Sequence, residues 1–281
     1  PIRMSSSNAK PCEHCGREHT FPPVRRMFMK VEPVLITPAE KTWEHIQSSQ
    51  VSYPQLKELG TERGKVVVCA AGPSLLHHIK LIKQLSEQGI PVCAVKGTAN
   101  VLIDHGIVPK YAVFMDGQEN QIRFFDNPHP DVHYYMASQT HPKVLERLKD
   151  HKLTVWHASR FDMLKQGSYK GWYITGGRTT GLRALNLMRA LGYNELHILG
   201  MDCSFPAGKP SHVYDKPKHS RVNKVWMGEV EYTATMDMCG QHMDFLHMMV
   251  LSPETRFVLY GNGMLQMAVT EFVQHRDKPC P

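Results

Sequence analysis

The chain has 281 residues, a formal net charge of +7, and 42% hydrophobic and 21% charged residues. That length supports one large α/β core with small additions at its ends, and the ordinary apolar fraction excludes a largely disordered chain. With no apolar span of about 18 residues, no membrane contact is expected; the opening Pro1-Ile2-Arg3-Met4-Ser5-Ser6-Ser7 lacks a leader-like apolar run, so the expected location is the cytoplasm.

The sequence divides into a cysteine-containing N-terminal appendage (1–30), a helical lead-in (31–63) and one large domain (64–281). Within the appendage, Cys12-Glu13-His14-Cys15 is half of a structural zinc site. Cys12, Cys15, His19 and the remote Cys280 would complete four Zn2+ ligands; the alternative is a surface turn with free thiols. The seven cysteines are an odd number, and Cys69, Cys93 and Cys203 sit in or beside apolar strand-like runs. They read as reduced core residues instead of a disulfide framework. Between Glu40 and Leu59, Trp43, Ile46 and Tyr53 have partly helical spacing, and this segment is expected to cover a sheet edge.

From Val66 the pattern alternates regularly. It predicts strand 66–71, helix 74–88 stopped by Gly89, strand 91–95, a short helix near 99–105 and strand 111–115. A polar helix near 118–124, strand 132–137, helix 141–149 and strand 152–157 follow. After Thr175-Gly176-Gly177 comes a helix through Leu191 with an apolar stripe at Leu182, Leu185, Met188 and Leu191. Strand 195–201 leads into a long polar active-site loop, 203–228. A helix is then expected over 229–250, and a late strand over 256–260 ahead of Gly261-Asn262-Gly263. Short apolar strands alternating with helices imply an α/β fold with a mainly parallel sheet and helices on both faces.

The chemistry is expected where polar clusters fall at the carboxyl ends of strands. In Val66-Val67-Val68-Cys69-Ala70-Ala71-Gly72-Pro73-Ser74, a buried strand breaks into a turn that starts a helix. Gly72, Pro73 and Ser74 there either cradle a phosphate or simply turn the chain and cap a helix. Lys96 to Asn100, Asp116-Gly117-Gln118 and Asp202-Cys203-Ser204 stand at three further strand ends. The Thr175-Gly176-Gly177 turn, with Thr179 behind it, opens a helix toward the same edge. Asp116 and Asp202 are either capping groups or carboxylates for Mg2+ beside a nucleotide. His212, in the loop leaving the Asp202 strand, is the candidate base or anion clamp. The turn lacks the Gly-Lys-Ser ending of a P-loop and the three glycines of a dinucleotide fingerprint, which disfavours both classes.

Taken together, Ala71-Gly72-Pro73-Ser74-Leu75, the segment ending at Asn100, Thr175-Gly176-Gly177 and Ala190-Leu191-Gly192-Tyr193 running to Leu199-Gly200-Met201-Asp202-Cys203-Ser204-Phe205 resemble the MptE-like family of 6-hydroxymethylpterin pyrophosphokinases. A more distant resemblance is to the bacterial sialyltransferases with a Rossmann-like core. The resemblance spans roughly residues 64 to 265 in scattered blocks. It departs from the sialyltransferase pattern at Ala71, where that family has asparagine, and at Gly176, where it has serine. The first family implies a Mg2+-dependent transferase using ATP or another nucleoside phosphate, with diphosphate passing to a hydroxymethyl-bearing acceptor. The second implies a nucleotide-sugar glycosyltransferase, and a non-catalytic nucleotide-binding phage protein is a third reading. Expected partners are a phosphorylated small-molecule donor and an acceptor of unstated identity, with a homo-oligomer left open. Nucleic acid is the lesser candidate, because Lys80, Lys83, Lys143 and Arg147 are scattered and no nucleic-acid module is recognisable.

Overall fold

The structure is a computed structural model that describes residues 37–158, 173–214 and 222–276. The predicted zinc ligands Cys12, Cys15, His19 and Cys280 lie outside the described residues, as do Lys216, Lys218, His219 and Arg221 of the polar loop.

The core is an eight-stranded sheet whose paired strands all run parallel. Its strands are β1 (Lys65–Cys69), β2 (Val92–Val95), β3 (Tyr111–Phe114), β4 (His133–Ala137), β5 (Leu153–Ala158), β6 (Tyr173–Ile174), β7 (Glu195–Leu199) and β10 (Arg256–Leu259), in the spatial order β10-β7-β1-β2-β3-β4-β5-β6. The chain proceeds outward from β1 to β6, then returns to lay β7 on the other side of β1. That reversal makes the gap between β1 and β7 the topological switch point.

β1 shows why the middle of the sheet is a continuous apolar run. Val66, Val67 and Val68 are all fully buried. Side chains alternate across a strand, so Val66 and Val68 enter one core and Val67 and Cys69 the other. Each buried valine contributes about 1.5–3 kcal/mol relative to exposure. One face carries helices α2 (Ile79–Glu87), α3 (Thr98–Asp104) and α4 (Pro142–Arg147), packed through Ile82, Leu102, Val144 and Leu145. The opposite face carries α5 (Thr180–Ala190), α6 (Met236–Val250) and α7 (Met264–Arg276), through Leu182, Leu185, Met188, Phe245 and Leu265. The expected α5 stripe is therefore buried, with Leu191 at 6% exposure closing it.

Several elements differ from the sequence reading: the helix expected over 74–88 opens as a 3-10 helix, Pro73–His78, ahead of α2, and β6 and α7 were not expected. Residues 223–234 form an antiparallel hairpin, β8 (Asn223–Met227) and β9 (Val230–Ala234), where the tail of a loop and the start of a helix were expected. Its Gly228 turn has φ +55, and Val225 and Met227 alternate with the more exposed Lys224 and Trp226. That period of two was the signal. The helix begins only after Thr235, whose side chain accepts from the Met238 N–H. The polar segment after β3 is a 3-10 helix, Glu119–Phe125, and α7 follows Gly261-Asn262-Gly263. The lead-in is helical from Ala39 to Ser52 (α1), and Gln55 then bridges Val155 on β5. The lead-in thus reaches the sheet where an edge cover was expected. Among the described residues no helix is long and apolar enough to cross a membrane.

Candidate active site at the strand ends

Gly72-Pro73-Ser74 leaves β1 at the switch point and enters the 3-10 helix Pro73–His78. Directly across the gap, β7 ends at Leu199 and delivers Asp202 to the same place. The Asp202 carboxylate accepts from the Ser74 N–H (2.8 Å, Oδ2) and from the Ser74 hydroxyl (2.6 Å, Oδ1). A carboxyl group thus sits at the helix start, where a bound anion would otherwise collect the same donors. The other N–H groups of the turn are engaged too, Gly72 with the Gly200 carbonyl at 2.7 Å and Leu75 with the Gly72 carbonyl at 3.0 Å. In this conformation, neither Ser74 donor faces the open crevice.

Asp202 is 4% exposed, and burial raises its carboxyl above the ordinary range while the two Ser74 donors pull it partly back. Glycines make this burial feasible. A Cβ at Gly72 would lie 2.5 Å from both Asp202 Oδ2 and the Gly200 carbonyl oxygen. From the far side, a Cβ at Gly263 would stand 2.5 Å from the Asp202 carbonyl oxygen and 2.6 Å from its Cβ. The Leu265 N–H donates to that carbonyl at 3.0 Å. The loop after β10 therefore walls the switch point, a role that the Gly-Asn-Gly turn signal did not specify.

The next strands carry a second feature. Lys96 and Asp116, beyond β2 and β3, form an ion pair with side-chain exposures of 27% and 30%. Lys96 has φ +56 and Cys203 φ +54, the positive-φ non-glycine residues among those described. Each follows a strand of the crevice, and each such turn costs about 1–2 kcal/mol for an L-residue with a side chain. Strain of this kind concentrates where a site must be aimed.

Over these ends runs the strap 211–214. The Val213 N–H donates to the Ala71 carbonyl at 2.9 Å, which ties the strap to the β1 turn. His212 stacks on Tyr214 with centroids 5.4 Å apart and an interplanar angle of 4°, while Ser211 Oγ lies 3.1 Å from His212 Nδ1. Tyr214 meets Phe124 edge to face at 5.0 Å, and a Cβ at Gly97 would overlap the Phe124 ring. Asn100 is drawn into the same support, donating from Nδ2 to the Phe124 carbonyl at 3.1 Å.

The turn at Thr175-Gly176-Gly177 follows the edge strand β6 and is tied down locally. Asn186 Nδ2 donates to the Thr175 carbonyl at 2.9 Å, and Arg183 Nε to the Gly177 carbonyl at 2.8 Å. Thr179 caps α5, accepting from the Leu182 N–H at 3.3 Å. Arg178 pairs with Asp244 at 3.1 Å. The first turn of α5 approaches the β7 end through Met201, whose Cε lies 2.9 Å from a Cβ built at Gly181. The geometry thus gathers Gly72, Pro73, Ser74, Asp202 and the His212 strap at the β1–β7 gap, leaves Asp116 two strands away beyond β3 and paired with Lys96, and keeps the Thr175 turn on its own element.

A groove of about 530 Å³ lies at the opposite, amino-terminal end of the strands, lined by Glu62, Lys110 and Tyr193 among others. There Glu62 Oε1 accepts from Lys110 Nζ at 2.9 Å and Tyr111 OH at 3.1 Å, and the Tyr111 and Tyr193 hydroxyls meet at 3.0 Å. The groups are paired among themselves, and the carboxyl edge remains the candidate site.

Residues 42–208 match the family model for 6-hydroxymethylpterin diphosphokinase MptE-like proteins, more than half of the sequence. The chain belongs to the MptE-like family. No curated protein sequence matches it. Among solved structures, the MAf glycosyltransferase from Magnetospirillum magneticum AMB-1 superposes with a TM-score of 0.60 at 13% identity. That match covers 84% of this chain but only 41% of the glycosyltransferase, so the MptE-like chain spans about two fifths of its structural relative. The likeness shows a shared fold. Membership of the family supports transferase as the coarse class.

Proposed function

We propose that this MptE-like protein is a magnesium-dependent diphosphotransferase that moves diphosphate from ATP, or another nucleoside phosphate, to a hydroxymethyl-bearing acceptor. The observation that carries the reading is the Ser74 turn bonded to Asp202 beside the His212 strap, with the Lys96–Asp116 pair at the ends of the next two strands, β2 and β3. The MptE-like family supports the donor class.

The donor set fits magnesium in a limited way. Among the described residues no three His, Cys, Asp or Glu side chains converge as a ready metal cage. Beside nucleotide phosphates, however, this ion takes only one or two carboxylates, with phosphate and water oxygens completing the shell. Asp116 is the half-exposed carboxylate placed to serve, and the ion would neutralise charge on the transferring group. Asp202 is a positioning residue, since both its oxygens hold Ser74 and fix the β1 turn. His212 takes the acceptor hydroxyl proton as the acceptor oxygen bonds to the β-phosphorus. The bond from that phosphorus to the α-phosphate oxygen breaks, and AMP departs with both electrons of the broken bond. The Ser211 contact and the Tyr214 stack orient the imidazole for this task.

Calorimetric titration with ATP and magnesium, and in parallel with CMP- and UDP-sugars, tests the donor. Phosphorus NMR of an acceptor screen tests the transfer. His212→Ala should keep donor binding and lose roughly 10²–10⁴-fold in turnover. Tight binding confined to sugar nucleotides would replace this reading by glycosyl transfer, the reading that the fold of the structural neighbour favours. Nucleotide binding without turnover across the screen would make the protein a sensor.

A further inference from the structure

The turn that the sequence marks as a phosphate cradle has its donors engaged. Both Ser74 donors face Asp202, and the Gly72 and Leu75 N–H groups face carbonyls. A phosphorylated donor in this crevice therefore needs another cationic partner, and the next strand supplies one. The registers Cys69↔Leu199, Cys69↔Ala94 and Val95↔Val113 continue to place Met201, Ala71 and Lys96 nearly level on β7, β1 and β2. Adjacent strands lie about 4.8 Å apart. The carboxyl edge thus reads, strand by strand, as the Asp202 carboxylate, the Ser74 turn, the Lys96 ammonium and the Asp116 carboxylate.

Lys96 is held in that row by its backbone. Its N–H donates to the Val113 carbonyl at 3.0 Å, anchoring it to β3, and its φ of +56 swings the chain out of the sheet plane. Gly97 follows hard against Phe124 and has no room for a side chain. Lys96 is thus the first position beyond β2 that offers a side chain to the crevice. Its side chain is 27% exposed and its ammonium is held by Asp116, whose side chain is 30% exposed.

We propose that Lys96 is the phosphate-binding residue of the crevice, and that Asp116 holds its ammonium until a donor phosphate replaces the carboxylate. The inference rests on the phosphorylated-donor reading above and deepens it. The exchange leaves Lys96 paired with phosphate and turns Asp116 loose for the cation that accompanies the phosphates. No covalent bond changes. The two residues consequently have opposite effects on a bare phosphate ligand, because one attracts it and the other competes with it.

The test is calorimetric titration with inorganic pyrophosphate, first without divalent cation and then with magnesium, on the full chain. Lys96→Met should weaken magnesium-free binding by about tenfold or more, the scale of a hydrogen bond to a charged group. Asp116→Asn should tighten magnesium-free binding several-fold by removing the competitor, and should lose that gain when magnesium is present. Lys96→Gly, which keeps the left-handed turn without strain, should weaken binding as Lys96→Met does and guards against a folding artefact. Unchanged affinity in both Lys96 variants, or weaker magnesium-free binding in Asp116→Asn, overturns the assignment. If the native chain binds pyrophosphate and sugar nucleotides but not ATP, the diphosphotransfer reading fails while Lys96 stands. If it binds no phosphorylated ligand, both fall.

Discussion

Replacing Ser74 by alanine removes one contact at the switch point and leaves the surroundings in place. The hydroxyl donates to Asp202 Oδ1 at 2.6 Å, and the backbone N–H keeps its own bond to Oδ2 at 2.8 Å. A hydrogen bond to a buried charge is worth about 1.5–3 kcal/mol. For a chain of this size that corresponds to a fall in Tm of roughly 3–12 °C. The effect should also depend on pH in a fixed direction. Burial already raises the Asp202 carboxyl, and the Ser74 donors lower it. Without the hydroxyl the folded-state value climbs further. A carboxyl raised in the folded state costs stability progressively as pH rises from its unfolded value through its folded one. The deficit of Ser74→Ala relative to the native chain should therefore shrink as pH is lowered from 7 through the raised folded-state values and be smallest below about pH 4, where the acid is largely protonated in both states. Urea denaturation of both proteins across that range measures it. A deficit that is absent, or constant with pH, would refute the view of Asp202 as a charged partner of Ser74.

Gly263→Ala should lower the urea midpoint by the equivalent of about 1–3 kcal/mol or more, because the new Cβ would sit 2.5 Å from the Asp202 carbonyl oxygen, a backbone atom that has little freedom to move. Cys69, Cys93 and Cys203 are buried and their thiols are pushed well up by desolvation. Peptide-level alkylation should leave these three unmodified in the folded chain and label them fully in urea. His157 is 1% exposed, its Nε2 lies 3.0 Å from Gln55 Oε1, and burial lowers its pKa to about 4. Its ring should be neutral at pH 7 and titrate near pH 4 by NMR. The stability tied to it is present above about pH 6.5 and lost as pH falls toward that folded value.

The sheet was legible because its central strands are buried on both faces. Val66-Val67-Val68 and Val92-Cys93-Ala94-Val95 announce themselves as apolar runs, and α5 carries the stripe Leu182, Leu185 and Met188. The hairpin 223–234 was missed because it is half-exposed: Trp226 stands at 62% exposure on its outer side, so the alternation carries little hydrophobic contrast. At the site, strand-end logic located Ser74 and Asp202 individually. Their direct bond joins residues 128 positions apart, which no local pattern encodes. The same holds for Lys96 and Asp116, whose pairing follows from β2 and β3 being neighbours. Asn100, read from the sequence as one of the strand-end polar residues, donates from its amide to the Phe124 carbonyl. A polar side chain in a strand-end loop serves the loop as readily as a ligand.

The wall that Gly261 and Gly263 build against Asp202 bears on how portable the crevice is. The family-matched stretch ends at residue 208, short of β10 and of that loop. A fragment cut there would retain both partners of the Ser74–Asp202 bond yet lose the backbone packed against the carboxylate. Water would enter the gap and the carboxyl would drift back toward an ordinary acidity. The strand-end crevice is therefore not a module to be transplanted with the family-matched stretch. It is completed by a strand and loop that arrive from much later in the sequence, and any graft of this site needs to carry them along.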